Sequence, residues 1–263
     1  MNIKKILIKN NPKKKFFYSN FCNLEGMKSI VITFDIDWAP EFMIENLLNL
    51  TKGLNITIFN THKSKIISTI NSEKITLGIH PNLSKNSSQG DNIKKVSNFV
   101  SKIGNNKFCR FHILGHSYPD MCYFAKKGTK VDSSYFLLNQ PYIIPSYHKD
   151  IDLLRIPYIW EDGLVLRSKM NIKNSLNLNL PGMKILDFHP IDLYLNTHNF
   201  EHRNKFKKKF KSIIHSTKKD AEKFVNTKIY GIRDFFNDLK IQLNKKKIYT
   251  SNFEEIYNEF KKQ

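Results

Sequence analysis

The chain has 263 residues, 40% of them hydrophobic, a formal charge of +20 and three cysteines. That is enough for one full core, and no run of about 18 apolar residues exists to cross a membrane. Cys22, Cys109 and Cys122 form no CxxC pair and are odd in number, which argues for free thiols in a reducing compartment rather than a disulfide framework.

The charge invites a nucleic-acid reading, but the basic runs (Lys13–Lys15, Lys207–Lys209, Lys245–Lys247) are short and dispersed. No basic-aromatic strand motif for stacking RNA bases accompanies them. Attraction to anionic substrates, such as nucleotide-linked or phospholipid-linked sugars, fits the same charge. The basic N-terminus never reaches a long apolar segment, so no secretory signal is read and a cytoplasmic protein is expected.

Residues 1–28 read as an extension packed on the main domain, with a short alternating stretch from Ile3 to Ile8. Residues 29–263 read as one domain. Its first strand, 29–34, ends in Thr33-Phe34-Asp35-Ile36-Asp37, two carboxylates two residues apart and so on one face of an extended strand. Pro40 opens a helix that Gly53 ends. Strands follow at 56–59 and 75–79, the latter closed by His80-Pro81, with a short helix from Ser64 to Ile70 between them. Asp91 caps a helix with Ile93, Val96, Phe99, Val100 and Ile103 on one face. Strands are expected at 108–111, 131–132, 153–159 and 183–188, with a short helix around 120–127. A Lys-rich amphipathic helix over 199–226 has a solvated charged face. A helix through Ile232, Phe235, Phe236 and Leu239, a strand at 247–250 and a last helix opened by a Ser251/Glu254 capping box complete the chain. Strand and helix alternate throughout, which predicts a mostly parallel sheet, a (β/α) barrel.

The informative polar residues fall at successive strand ends. They are Asp35 and Asp37, then His80, Arg110 and His112, Asp132, Trp160 with Glu161 and Asp162, and His189. In a parallel barrel these tips converge on one rim.

Here the chain resembles the polysaccharide deacetylases, the NodB-homology group akin to carbohydrate esterase family 4. That family runs T-F-D-D-G, H-[ST]-x-x-H, R-x-P-Y, a D-x-x-D-W-like segment and L-x-L-H. The same order reads here T-F-D-I-D (33–37), G-I-H-P-N (78–82), R-F-H-I-L (110–114), I-W-E-D-G (159–163) and L-D-F-H-P (186–190). The resemblance spans residues 29 to 198 and looks closest to divergent members of surface-polysaccharide biosynthesis. It implies the irregular seven-stranded barrel of those enzymes.

It also implies metal-assisted hydrolysis of an acetylated sugar, N-acetyl ahead of O-acetyl, with Zn²⁺ or another divalent ion. Such an ion lowers the pKa of a water to about 7 and polarises the carbonyl. By the resemblance, Asp37 and His80 are ligands, Asp35 the general base, Arg110 its holder, His189 the general acid and Asp162 the partner of His189. Trp160 would wall the acetyl pocket and Asp132 would contact substrate.

Each role has a plainer alternative. His80 and His189 precede prolines and could simply end strands. Asp132 before two serines is common turn chemistry, Trp160 could be core, and Asp162 before Gly163 could be a turn residue. The family's second metal histidine would fall at position 84, which is Ser84. His112 is the expected replacement, His116 the second choice or a sugar contact, and a Ser84 hydroxyl a third. The gap leaves open a different class of function, an inactive deacetylase fold that binds carbohydrate or an assembly partner.

Overall fold

A computed structural model describes residues 29–262. The expected N-terminal extension, with Ile3–Ile8 and Cys22, lies outside the described residues. Strand β1 (Ser29–Asp35) is the hub of the sheet. Strand periodicity sends Ile30, Ile32 and Phe34 outward, where they are buried against α1 (Glu41–Leu50) and α9 (Ile232–Lys245). Val31 points the other way, into an interior cluster with Phe59, Phe108, Val131, Ile185 and Phe253. Thr33 and Asp35 share the parity of Val31, so they stack above it toward the C-terminal rim.

On one side β1 pairs with β9 (Ile185–Phe188). On the other it is shared. Its first half pairs with β10 (Tyr249–Ser251) and its second half with β2 (Ile56–Asn60). From β2 the parallel order continues through β3 (Ile75–Ile79), β4 (Phe108–Cys109) and β5 (Val131–Asp132). β8 (Trp160–Glu161) flanks β9. A parallel bridge, Phe136 to Tyr158, links the chain beyond β5 to the chain before β8. Two backbone bonds of 2.9 Å, Leu137 N–H to Tyr158 O and Tyr158 N–H to Tyr135 O, support it. These parallel strands curl into the expected barrel-like α/β architecture, with that single bridge between the chain beyond β5 and the chain before β8. A helix follows most of the strands: α2 (Lys65–Ser68), α3 (Ile93–Val100), α4 (Tyr118–Lys126), α5 (Asp162–Arg167), α6 (Pro190–Leu195) and finally α10 (Phe253–Lys261).

Several expected elements differ. The strand at 153–159 stops at Arg155, because Pro157 has no N–H for the ladder. Its remainder, β7 (Leu153–Arg155), forms an antiparallel pair with β6 (Ser146–His148) that no sequence signal marked. The 199–226 helix is two, α7 (Phe200–Lys208) and α8 (Lys218–Glu222), because Thr217 caps the second by accepting from Asp220 N–H. The last helix is capped by Asn252 with Glu255 rather than by Ser251 with Glu254; Ser251 is the last residue of β10.

Candidate active site

The rim above the barrel interior encloses a cavity of about 400 Å³ lined by, among others, Asp35, Asp37, His80, His112, His189 and Arg203. Asp35 reaches it as the last residue of β1. Asp37 does not arrive along an extended strand, as the two-residue spacing suggested. Asp37 and Trp38 both have positive φ, 37° and 57°, and the chain reverses between Ile36 O and Ala39 N–H, 2.7 Å apart. A left-handed tryptophan is strained, and such strain collects at functional sites. Trp38 N–H to Thr61 Oγ1 (3.0 Å) and the edge-on packing of its ring against His112 (5.2 Å) hold the turn.

Arg110 follows β4 and is fully buried. Its guanidinium lies between the rings of Phe59 and Tyr158, 4.6 and 4.5 Å from their centroids. Nη1 donates to Thr33 Oγ1 (2.8 Å), to Asp35 Oδ1 (3.1 Å) and, at short range, to Asp187 Oδ1. Nε and Nη2 are taken by Ser133 O and Oγ. Burial pushes the Asp187 carboxyl well above the usual range despite Arg110, with Asp35 adding to the rise.

Beside this ionic knot lies a second group. His80 Nε2 is 3.2 Å from His112 Nδ1 and 3.5 Å from Asp37 Oδ1, and His112 Nδ1 is 3.1 Å from Asp37 Oδ1. Asp37 Oδ1 is buried without a well-formed hydrogen bond. Three donor atoms, one oxygen and two nitrogens, thus stand within 3.5 Å of one another. At zinc–ligand bonds of about 2.0–2.2 Å, tetrahedral ligands stand roughly 3.3–3.5 Å apart. The observed edges, 3.1, 3.2 and 3.5 Å, come within about 0.2 Å of that range, and the donor chemistry suits a divalent ion. Gln89 steadies this corner, donating from Nε2 to His80 O (3.0 Å) and to Thr61 O (2.8 Å) while accepting from Asn82 N–H. Burial opposes ionisation of Asp37, but the close approach of His112, with His80 and His189 beside it, holds its carboxyl well below the ordinary range.

His189 caps the end of β9 with its ring in the same cavity. Its Nδ1 is 2.6 Å from Asp162 Oδ1, and its own N–H donates to Asp162 Oδ2 (2.7 Å). Nε2 faces Asp37 Oδ2 at 3.5 Å. Burial lowers the imidazole pKa, but Asp162 and then Asp37 more than offset it and push it well above the usual histidine value.

Asp35, Asp37, His80, Arg110, His112, Asp162 and His189 therefore come together. Three others do not. Trp160 is wholly buried in the core, stacked on Phe235 and donating Nε1–H to Ser175 Oγ (2.8 Å), so it cannot wall the cavity. Asp132 is paired with Arg155 Nε (2.9 Å) and accepts from Ser134 Oγ (2.6 Å), while Ser134 Oγ in turn accepts Phe111 N–H; it props the strand end rather than lining the cavity. His116 stacks on Phe111 (4.7 Å) with Nδ1 against Leu114 O, outside the lining. Ser84 is exposed and also outside it. Residues that sequence reasoning missed include Asp187, which stood inside the quoted L-D-F-H-P segment, and Arg203 and Lys207 on the cavity wall.

The fold and this rim define a deacetylase-like hydrolase. The WbmS-like polysaccharide deacetylase family matches residues 32–207, and the chain belongs to it. Among solved structures, a candidate polysaccharide deacetylase involved in O-antigen biosynthesis, WbmS from Bordetella bronchiseptica, superposes with a TM-score of 0.72 at 23% identity. The match covers 82% of this chain and 91% of that one, a likeness of fold. No curated protein matches the chain. Among the described residues no helix is long and apolar enough to cross a membrane.

Proposed function

We propose that this protein removes an acetyl group, N-acetyl in preference to O-acetyl, from a sugar precursor of cell-envelope polysaccharide. The observation that carries the reading is the Asp37–His80–His112 triangle with Asp35 and His189 beside it. In this reading Asp37, His80 and His112 hold a divalent ion, which supplies a Lewis acid and an acidified water. The O-antigen role given for the Bordetella neighbour supports a cell-envelope substrate.

The protein's own groups divide the proton work. Asp35 has Oδ1 tied to Arg110 and Oδ2 turned toward His80 at 3.5 Å. It takes the proton of the attacking water. His189 has Nδ1 committed to Asp162, so Nε2 carries the mobile proton into the cavity. Its raised pKa keeps that proton available near neutrality, for the nitrogen that leaves as the amide C–N bond breaks. The products are acetate and the free amino sugar.

The test is acetate release from a panel of N-acetylated sugars by protein loaded with zinc, cobalt or manganese and by protein stripped with chelator. Release that disappears on stripping and returns on reloading supports the reading. Release that persists in fully stripped protein overturns the metal-assisted mechanism.

A further inference from the structure

The acids and histidines occupy only part of the cavity wall. Another part is cationic. Arg203 and Lys207 lie four residues apart on α7, and so on one helical face, and both line the cavity. Arg203 is 5% exposed. Its Nε stands 3.3 Å from Asp192 Oδ2, yet its terminal nitrogens make no hydrogen bond among the described residues. The Lys207 ammonium has neither a hydrogen bond nor an ion pair among the described residues. Burial, followed by the charge of Arg203, pushes its ammonium pKa down. Like charges at this spacing repel, and a half-buried lysine without a partner is unfavourable, so the pair is costly unless an anion completes it. Asp192, Asp162 and Asp37 act on both cations from a distance, and Glu161, which accepts from Tyr158 Oη at 3.1 Å, on Arg203. Arg167 lines both this cavity and an adjoining one of about 610 Å³. Phe200 and Asn204 also belong to both linings.

We propose that Arg203 and Lys207, with Arg167 at the junction of the two cavities, form an anion subsite for a carboxylate or phosphate carried by the acetylated sugar. The substrate is then an anionic sugar, not a neutral one. This inference rests on the deacetylase reading. Arg203, already anchored by Asp192, orients the anion with its free nitrogens, and Lys207 supplies the uncompensated charge.

The experiment compares kcat/KM for acetate release from N-acetylglucosamine, N-acetylglucosamine 1-phosphate and an N-acetylated uronic acid, with Lys207→Gln and Lys207→Arg alongside. Calorimetric binding of the same three sugars is measured in parallel. The expected result is a preference for one or both anionic sugars that falls by about tenfold or more in Lys207→Gln, the worth of a charge-assisted contact, and is largely kept in Lys207→Arg. The better of the two anionic sugars identifies the group. Acetate release at equal kcat/KM from neutral and anionic sugars would overturn the anion subsite and leave the deacetylase reading standing. If no sugar releases acetate, binding decides: anionic sugars held tighter than the neutral one, with the difference lost in Lys207→Gln, would support the subsite while the deacetylase reading fails. Equal or absent binding of all three would overturn the subsite.

Discussion

Two carboxylate clusters share one rim, and they are resolved in opposite ways. Around Arg110, Asp35 Oδ1 and Asp187 Oδ1 meet a guanidinium that is fully buried and hydrogen-bonded at each of its nitrogens. That cluster carries its own cation. Around Asp37 the nearest positive charge can only come from protonated histidines, and the nitrogens of His80 and His112 stand 3.2 Å apart, where two protons would collide. The first cluster is complete as folded; the second is complementary to a cation from outside. Burying a charge is tolerable only when it is paired. The difference therefore separates acids whose counter-charge the fold itself supplies, Asp35 among them, from Asp37, whose counter-charge it does not.

The largest expected effect breaks the complete cluster. Arg110→Met keeps much of the bulk between Phe59 and Tyr158 but strands Asp35 and Asp187 without a cation. It should cost about 3–5 kcal/mol, as losing one partner of a buried ion pair does, read from urea denaturation. A change under about 1 kcal/mol would mean the guanidinium is effectively solvated. The incomplete cluster should respond the other way. Excess zinc should stabilise the wild-type protein, by about 2.7 kcal/mol at a concentration 100 times the dissociation constant. Asp37→Asn, His80→Ala and His112→Ala should each abolish most of that gain without the loss seen for Arg110→Met. Zinc stabilisation that survives His112→Ala would remove that residue from the ligand set.

The next effect is smaller and bears on the proton donor. Asp162→Asn leaves His189 in place but removes the carboxylate that does most to raise its pKa. Turnover should fall by about 10²-fold, the range for general acid catalysis. The sign of the pH effect follows. A raised imidazole pKa keeps His189 protonated to higher pH, so activity is lost on the alkaline side as that pKa is passed. In Asp162→Asn the alkaline limb should move to lower pH. A limb that stays in place would mean that another group sets it.

Much of this rim was legible because of where apolar runs stop. Ile30 to Phe34, Ile75 to Ile79 and Ile185 to Phe188 are strands whose ends needed no tertiary information to locate, and the polar residues just past them converge once the strands are parallel. His112 standing beside Asp37 and His80 follows from the same rule, since the end of β4 lies next to the end of β3. What could not be read was direction. Asp187 sits inside an apolar run, where one acid looks like an exception. Arg203 and Lys207 share a helix with Lys205 and Lys208, and charge pattern alone does not say which turn meets the cavity and which meets solvent. Trp160 stands among the strand-end residues in the sequence, but it opens β8 and its ring is turned into the core. The Asp37 turn defeats spacing arguments altogether, because two left-handed residues reverse the chain where an extended strand was expected.

A carboxylate outside both clusters sets the scale for an ordinary one. Glu41, in the first turn of α1, accepts from Ser64 Oγ (2.9 Å), Lys65 N–H (2.8 Å) and Ile66 N–H (3.2 Å), and so closes the start of α2 from a neighbouring helix. Burial, its largest single influence, raises its pKa, but those three bonds outweigh it and leave the pKa lowered. A depressed carboxylate contributes stability above its unfolded pKa and loses it as pH falls through the folded one. The contribution should therefore be full at neutral pH and fade below about pH 4.3, the ordinary glutamate value. Glu41→Gln should cost about 1 kcal/mol at pH 7, in the range of a lost helix cap. It should cost less at pH 3, and it should leave zinc stabilisation intact. A cost that is the same at both pH values would show that the amide accepts these bonds as well as the carboxylate does, so that the charge of Glu41 contributes nothing beyond its hydrogen bonds.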